Sequence, residues 1–367
     1  MCRFKFVLVV MTALALAALQ SPLAVASDGK TDIANKYPAA AGYFEYYVVL
    51  TPGELPEVQF AELSCSGSLI SDKVIMTAAH CTSWNYVQEI GITGYFDLVW
   101  VSFDPVATAN DFRCFLQEEK VPYSEFMIGK YACDPSARTT PPPTFRKAAV
   151  AGMTNGVPIA HGLTHPNFLR PDLTKDGLAV QAEENLQNAD DLGVVILEQS
   201  VDDIEWLEYR WPGELDTFPG LKGTPVVSVG YGLNWAKAYG KRTGGLGPQT
   251  DLGGDSEKRI AFLGPLQGVH TNSLLPRQDP KKGDNTVCFG DSGSPLFLVE
   301  DGDTRPIVSG VLSGWTNWCQ GSKDPYYRID QQQAQDFLMC VIANQDNVKR
   351  ACTKCSAEQN FGLCDDL

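Results

Sequence analysis

Short β-branched and aromatic runs, each stopped by Gly, Pro, Asn or Asp, recur along almost the whole chain. Val74–Thr77, Leu98–Phe103, Leu192–Leu197, Val226–Val229 and Ile307–Leu312 are examples. Runs this short with such turns between them predict an all-β sandwich or barrel and argue against an α/β sheet. Helical spacing is clear at one place near the end, around Gln332 to Ala343, where Ala334, Phe337, Leu338 and Val341 recur. No internal repeat is seen.

The first residues predict the compartment. Arg3 and Lys5 precede an apolar run from Phe6 to Leu19, and Ala24-Val25-Ala26 follows as a small-x-small cleavage pattern. This reads as a secretory signal peptide over residues 1–26, too short in its apolar part to span a membrane comfortably. No later segment has that length, so a soluble, secreted protein is expected. Cleavage removes Cys2 and leaves ten of the 11 cysteines, an even number that in an oxidising compartment reads as disulfides. Against 44 Asp and Glu the chain has 29 Lys and Arg, a net charge of −15. That sign repels phosphate backbones and anionic lipid, so neither nucleic acid nor membrane is an expected partner. No Asn-x-Ser/Thr sequon is present, and N-glycans are not expected.

The stretch CFGDSGSPLF, residues 288–297, surrounds Ser292 with backbone freedom. Glycines at 290 and 293 could expose a nucleophile and aim N–H groups at its target, or simply make a turn. A serine hydroxyl needs a base, and the base needs an orienting group. Of the four histidines, His80 ends SCSGSLISDKVIMTAAHC, where an apolar strand enters a small-residue turn flanked by Cys65 and Cys81. Asp191 in NADDLGVVIL immediately precedes an apolar run, as a buried orienting acid should, although Asp190-Asp191 also reads as a solvated turn. His161 and His165 have helical metal-ligand spacing, but Pro166 speaks against a zinc site, and no metal or cofactor is expected. Cys352-x-x-Cys355, in a tail with further cysteines, reads as disulfide structure in preference to redox or zinc chemistry.

TAAHC ending at Cys81, DLGVVIL from Asp191 and GDSGSP from Gly290, in that order, resemble the secreted chymotrypsin/trypsin-like serine proteases. HPNF at 165–168, VVSVGYG at 226–232, GVLSGW at 310–315 and YYRID at 326–330 are similar to further family segments. The resemblance runs from about residue 40 to 345. It implies a chymotrypsin-like double six-stranded β-barrel with a C-terminal helix and a site in the cleft between barrels. Residue by residue it implies a Ser292 nucleophile, a His80 base, an orienting Asp191, and an oxyanion hole from the N–H groups of Gly290 and Ser292. Thr286, Ser313, Gly314 and Trp315 fall on substrate-binding positions. Cys65–Cys81 and Cys288–Cys319 would match family disulfides. Cys114–Cys133 is the natural pair within residues 82–160, which read largely as an insertion. Cys340, Cys352, Cys355 and Cys364 leave three pairings open. The expected organisation is thus a signal peptide (1–26), a short N-terminal or pro-segment (27–39), a protease domain (40–345) and a Cys-rich tail (346–367). A monomeric endopeptidase acting on a protein or peptide substrate is implied. A catalytically silent homologue serving as a secreted binding module is the alternative. An esterase of the α/β-hydrolase type is opposed by the chain order His, Asp, Ser.

The sequence departs from the family pattern at two points. Ser294 stands where the family usually has glycine, so an added hydroxymethyl could shift the nucleophile loop. No Ile-Val-Gly-Gly follows a basic residue; the nearest candidate is Ile33 after Asp32, so Asp291 would need a partner other than a new N-terminal ammonium. At the base of the specificity pocket, Thr286 offers a neutral hydroxyl, and Trp315 would narrow the wall. Together they lead us to expect small or apolar residues before the scissile bond and no trypsin-like preference.

Overall fold

The computed structural model describes residues 30–31, 36–51, 53–82, 95–149, 152–154, 157–159, 162–168, 190–233, 235–237, 251–253, 257–299, 306–314 and 324–355. The proposed signal peptide, Ile33, His161, Trp315, Cys319 and Cys364 lie outside them.

A short strand, β1 (Lys30–Thr31), belongs to the second of two nine-stranded sheets. The first sheet collects β2 (Ala40–Val49), β3 (Glu57–Leu69), β4 (Val74–Thr77), β5 (Tyr95–Ser102), β6 (Arg146–Lys147), β7 (Gly152–Thr154), β8 (Val157–Ile159), β9 (Leu163–Thr164) and β10 (Gly193–Ile196). To the second belong β11 (Glu208–Tyr209), β12 (Val226–Gly230), β15 (Arg259–Leu263), β16 (Leu266–Val269), β17 (Ser273–Pro276), β18 (Pro295–Leu298), β19 (Ile307–Leu312) and β20 (Tyr326–Arg328). Between them β13 (Trp235–Lys237) and β14 (Asp251–Gly253) pair only with each other among the described residues. The sheets curl into two half-barrels, the chymotrypsin-like double β-barrel that the sequence leads one to expect. Strands of two or three residues at the edges bring each sheet beyond six.

Alternation explains the first barrel. On β2, Tyr43 faces the barrel interior with Cys65, Val99 and Val101. Phe44, Tyr46 and Val48 point the other way, onto Leu98, Trp100, Phe112 and Leu116. That second layer is covered by the helix Ala109–Glu118, which carries Phe112 and Leu116. Within the stretch 82–160, β5 is a full member of the sheet, with eight residues paired to β2 from Gly42↔Ser102 to Val49↔Tyr95. The elaboration proper follows it.

Of four helices among the described residues, α1 (Ala79–Thr82) is a single turn after β4 and carries His80. The second, α2 (Ala109–Glu118), begins with a capping box in which Thr108 and Asp111 satisfy each other's backbone N–H. A disulfide, Cys114–Cys133, ties α2 to the irregular chain after it. The expected C-terminal helix is α3 (Gln332–Ile342), with Ala334, Phe337, Leu338 and Val341 all buried. Each of its larger apolar side chains contributes on the order of 1.5–3 kcal/mol. The tail forms α4 (Val348–Cys355), and Cys340–Cys355 fastens it to α3.

Candidate active site

The register of β10 on β4 brings two distant residues together. Gly193 pairs with Thr77, so the chain leaving β4 for α1 and the chain entering β10 meet at one end of the first barrel. The contact is close: a Cβ on Gly193 would lie 2.4 Å from Thr82 Oγ1 and 2.8 Å from the Ala78 carbonyl. Only glycine fits there, which explains the residue after Asp191-Leu192 in sequence terms.

Asp191, fully buried, holds His80 at two points. The His80 backbone N–H donates to Asp191 Oδ1 (2.9 Å), and the ring Nδ1–H donates to Oδ2 (2.9 Å). Ser313 Oγ also donates to Oδ2 (2.7 Å), so the carboxylate is oriented from both barrels. With Nδ1–H committed, Nε2 is the ring's acceptor. The ring itself keeps about a third of its side chain exposed (32%), enough for Nε2 to meet a reactant. Burial alone would pull the imidazole pKa down, but the charge and hydrogen bond of Asp191 outweigh it and leave His80 above its ordinary value. A disulfide joins Cys65 to the neighbouring Cys81, whose carbonyl accepts from Tyr43 Oη (3.1 Å). Sulfur and ring nitrogen atoms of Cys65, Cys81 and His80 lie within 4.8 Å of one another, yet the S–S bond leaves no thiolate to bind a metal.

The glycines of GDSG use the backbone freedom that only glycine has without strain. Gly290 (φ +88°) and Gly293 (φ +83°) are both in the left-handed region. A Cβ on Gly293 would lie 2.0 Å from Thr77 Oγ1 and 2.9 Å from the Ala78 N, so the nucleophile loop rests directly on the turn carrying His80. The loop is pinned there by Ser66, whose N–H donates to the Ser292 carbonyl (2.7 Å) and whose Oγ donates to the Gly290 carbonyl (2.7 Å). The N–H groups of Asp291, Gly293 and Ser294 are all used within the protein. Among the described residues, no hydrogen bond runs from the N–H of Gly290 or Ser292 to the protein. Ser292 is half-buried, and its hydroxyl makes no hydrogen bond to the imidazole among the described contacts.

Both departures from the family pattern find local answers. Ser294 is wholly buried, but its Oγ lies 3.0 Å from Ser228 Oγ on β12, so the extra hydroxymethyl is housed and hydrogen-bonded. Asp291 accepts from the N–H of Gly232 (2.8 Å, Oδ1) and of Cys288 (2.8 Å, Oδ2). A Cβ on Gly230 or Gly232 would fall within 2.5 Å of this carboxyl group, which is why the GYG turn carries glycines. Burial pushes the Asp291 pKa up to about 6; the two N–H bonds and the charge of Arg259 oppose it, while the like charge of Asp324 adds to it. Neither Ser66 nor Ser228 was legible as a loop support, because each sits in an ordinary strand far away in sequence.

Thr286 and Gly314 are buried, and Ser313 is the residue bound to Asp191. Cys288 is disulfide-bonded, and the expected pair with Cys319 lies outside the described residues. His165 is buried and shares itself between the Gln333 carbonyl (Nε2, 3.2 Å) and the Asn167 N–H (Nδ1, 3.2 Å).

This juxtaposition is the one that the motif resemblance to trypsin-like serine proteases implies. The model of the trypsin family matches residues 33–95, which include β2 to β4 and His80. Among solved structures, human heparin binding protein is similar over 86% of this chain and 96% of its own, at 17% identity and a TM-score of 0.44. A second structure of that protein, at atomic resolution, gives 16% and 0.42 over the same shares. Likenesses this distant carry no argument about activity. No curated protein matches the chain. The family match over residues 33–95 agrees with the resemblance that the sequence motifs carry.

Proposed function

We propose that the chain is a secreted serine endopeptidase that cleaves peptide bonds through an acyl-enzyme. The observation that carries this reading is the two-point hold of Asp191 on His80, with the Ser292 loop resting on the same turn. The Ser292 proton passes to His80 Nε2 as Oγ attacks the carbonyl carbon. Negative charge then develops on the carbonyl oxygen, toward the N–H groups of Gly290 and Ser292, each contributing on the order of 3 kcal/mol. The C–N bond breaks as His80 returns the proton to the leaving amine, and water repeats the sequence on the ester. Asp191 holds the tautomer and stabilises the imidazolium without taking the proton. Secretion is supported by the disulfides Cys65–Cys81, Cys114–Cys133 and Cys340–Cys355.

A fluorophosphonate probe tests the reading. Wild-type protein should be labelled and Ser292→Ala should not. Replacing Ser292 or His80 alone should lower kcat by about 10⁶, nearly as much as replacing all three triad residues. Properly processed protein that takes no label would point instead to a silent homologue acting as a binding module.

A further inference from the structure

Away from the cleft, the elaboration after β5 encloses a cavity of about 550 Å³ that has no part in the chemistry above. It lies roughly 20 Å from Asp191 by strand rise, because Glu198 on its rim follows the far end of β10. Leu98, Trp100, Phe115, Val121 and Phe145 form its apolar lining. The rings are set against one another: Phe115 lies 6.1 Å from Trp100 and 5.1 Å from Phe145, centroid to centroid. The Cys114–Cys133 disulfide anchors the helix beside them. Volume and lining are those of a preformed site for a small molecule.

The charges at its mouth are sorted. Lys147 is taken by Glu198 (2.7 Å), and Arg146 by both oxygens of Asp203 (2.8 and 3.0 Å). Glu119 and Lys120, also on the rim, are exposed and carry no ion pair among the described residues. Lys120 is held in an unusual place. Its φ of +51° is left-handed, and the N–H groups of Lys120 and Val121 donate to the carbonyls of Gln117 (3.2 Å) and Leu116 (3.0 Å). These two bonds close α2 with a Schellman cap, whose left-handed position is usually glycine because a Cβ is strained there. A lysine at that position puts an ammonium at the cavity mouth at some expense of helix stability, so capping alone does not explain it.

We propose that this cavity binds a short apolar peptide with free termini, a di- or tripeptide carrying aromatic or large aliphatic side chains. The side chains fill the aromatic lining, where they bury apolar surface without stranding a charge. The peptide carboxylate pairs with Lys120 and its ammonium with Glu119, the two rim charges that the protein itself leaves unmatched. A lone anion or a lone cation suits the mouth less well, since either would stand beside one like charge. The interior of a long polypeptide has no terminal charges to offer there.

The test uses the full-length chain carrying Ser292→Ala, so that no peptide is cut, and calorimetry with the dipeptide Phe-Leu. Binding is expected, and it should weaken about tenfold for N-acetyl-Phe-Leu and for Phe-Leu amide, each of which lacks one terminal charge. Gly-Gly keeps both charges but has no apolar side chain, and it should not bind. Adding Lys120→Gly suits the left-handed cap, so the variant should fold, while its affinity for Phe-Leu should drop about tenfold. Failure of Phe-Leu to bind, or equal affinity for the capped and uncapped peptides, overturns the proposal. So does a Phe-Leu affinity untouched by Lys120→Gly, which would place the peptide elsewhere on the protein. None of these readouts depends on the endopeptidase reading, which the fluorophosphonate probe tests separately.

Discussion

At the scale of single residues, two buried carboxylates bear on the pH behaviour of the proposed activity, Asp191 through His80 and Asp291 through its own proton. Asp191 raises the His80 pKa above its ordinary value, so the neutral base is lost as pH falls through that raised value. The acid limb of kcat/KM should therefore lie above the ordinary range of a histidine. In Asp191→Asn it should move to lower pH while kcat drops by about 10⁴, because the tautomer is no longer held. Asp291 takes up its proton near pH 6, and a protonated oxygen no longer accepts well from Cys288 or Gly232. Below pH 6 the acid limb should steepen from one proton toward two; a slope that stays at one down to pH 5 would show that Asp291 does not hold the loop. The sign for stability is the reverse. Because its folded pKa is raised, Asp291 binds a proton before the unfolded chain does, and its contribution to stability grows as pH falls through about 6.

At the scale of elements, the nucleophile loop is held from β3 and β12, not by its own residues. Ser66 on β3 binds the carbonyls on either side of Asp291, and Ser228 on β12 receives Ser294. A double-mutant cycle on Ser228→Ala and Ser294→Ala should give a coupling of about 0.5–1.5 kcal/mol in unfolding by denaturant. Ser228→Ala leaves the buried Ser294 hydroxyl short of a partner, whereas Ser294→Ala leaves Ser228 Oγ its bond to the Pro295 carbonyl (3.0 Å), so the double variant should be more stable than the singles predict. Additive losses would mean that the hydroxyl pair does not support the loop. The sequence motif GDSGSP could announce the serine, but not that its unusual second serine has a strand hydroxyl waiting for it.

At the scale of the whole molecule, the start of the chain is the main question. β1 pairs Lys30 with Ile260 and Thr31 with Arg259, so residues ahead of Ile33 already occupy the edge of the second sheet. Arg259 in turn pairs with Gly230, whose Cα abuts the Asp291 carboxyl group. With both Asp291 oxygens already bonded to backbone N–H groups, activity should not require a new N-terminus at Ile33. N-terminal sequencing and intact mass of active protein check this. Activity that appears only with a species beginning at Ile33 would refute it.

Local pattern was enough for an all-β chain and the C-terminal helix, while the motif resemblance implied the double barrel, the pair Cys65–Cys81 and His80, Asp191 and Ser292 as the proposed triad. The stretches that carried the resemblance are short ones, such as an apolar strand running into Ala-Ala-His or two glycines around a serine. What only the tertiary structure decided is who meets whom across the barrels. Ser228 and Ser294 are 66 positions apart, Gly232 and Asp291 59, and neither member of either pair carries a local mark of the other. Cys340 had three possible partners until α3 and α4 folded against each other and brought it to Cys355.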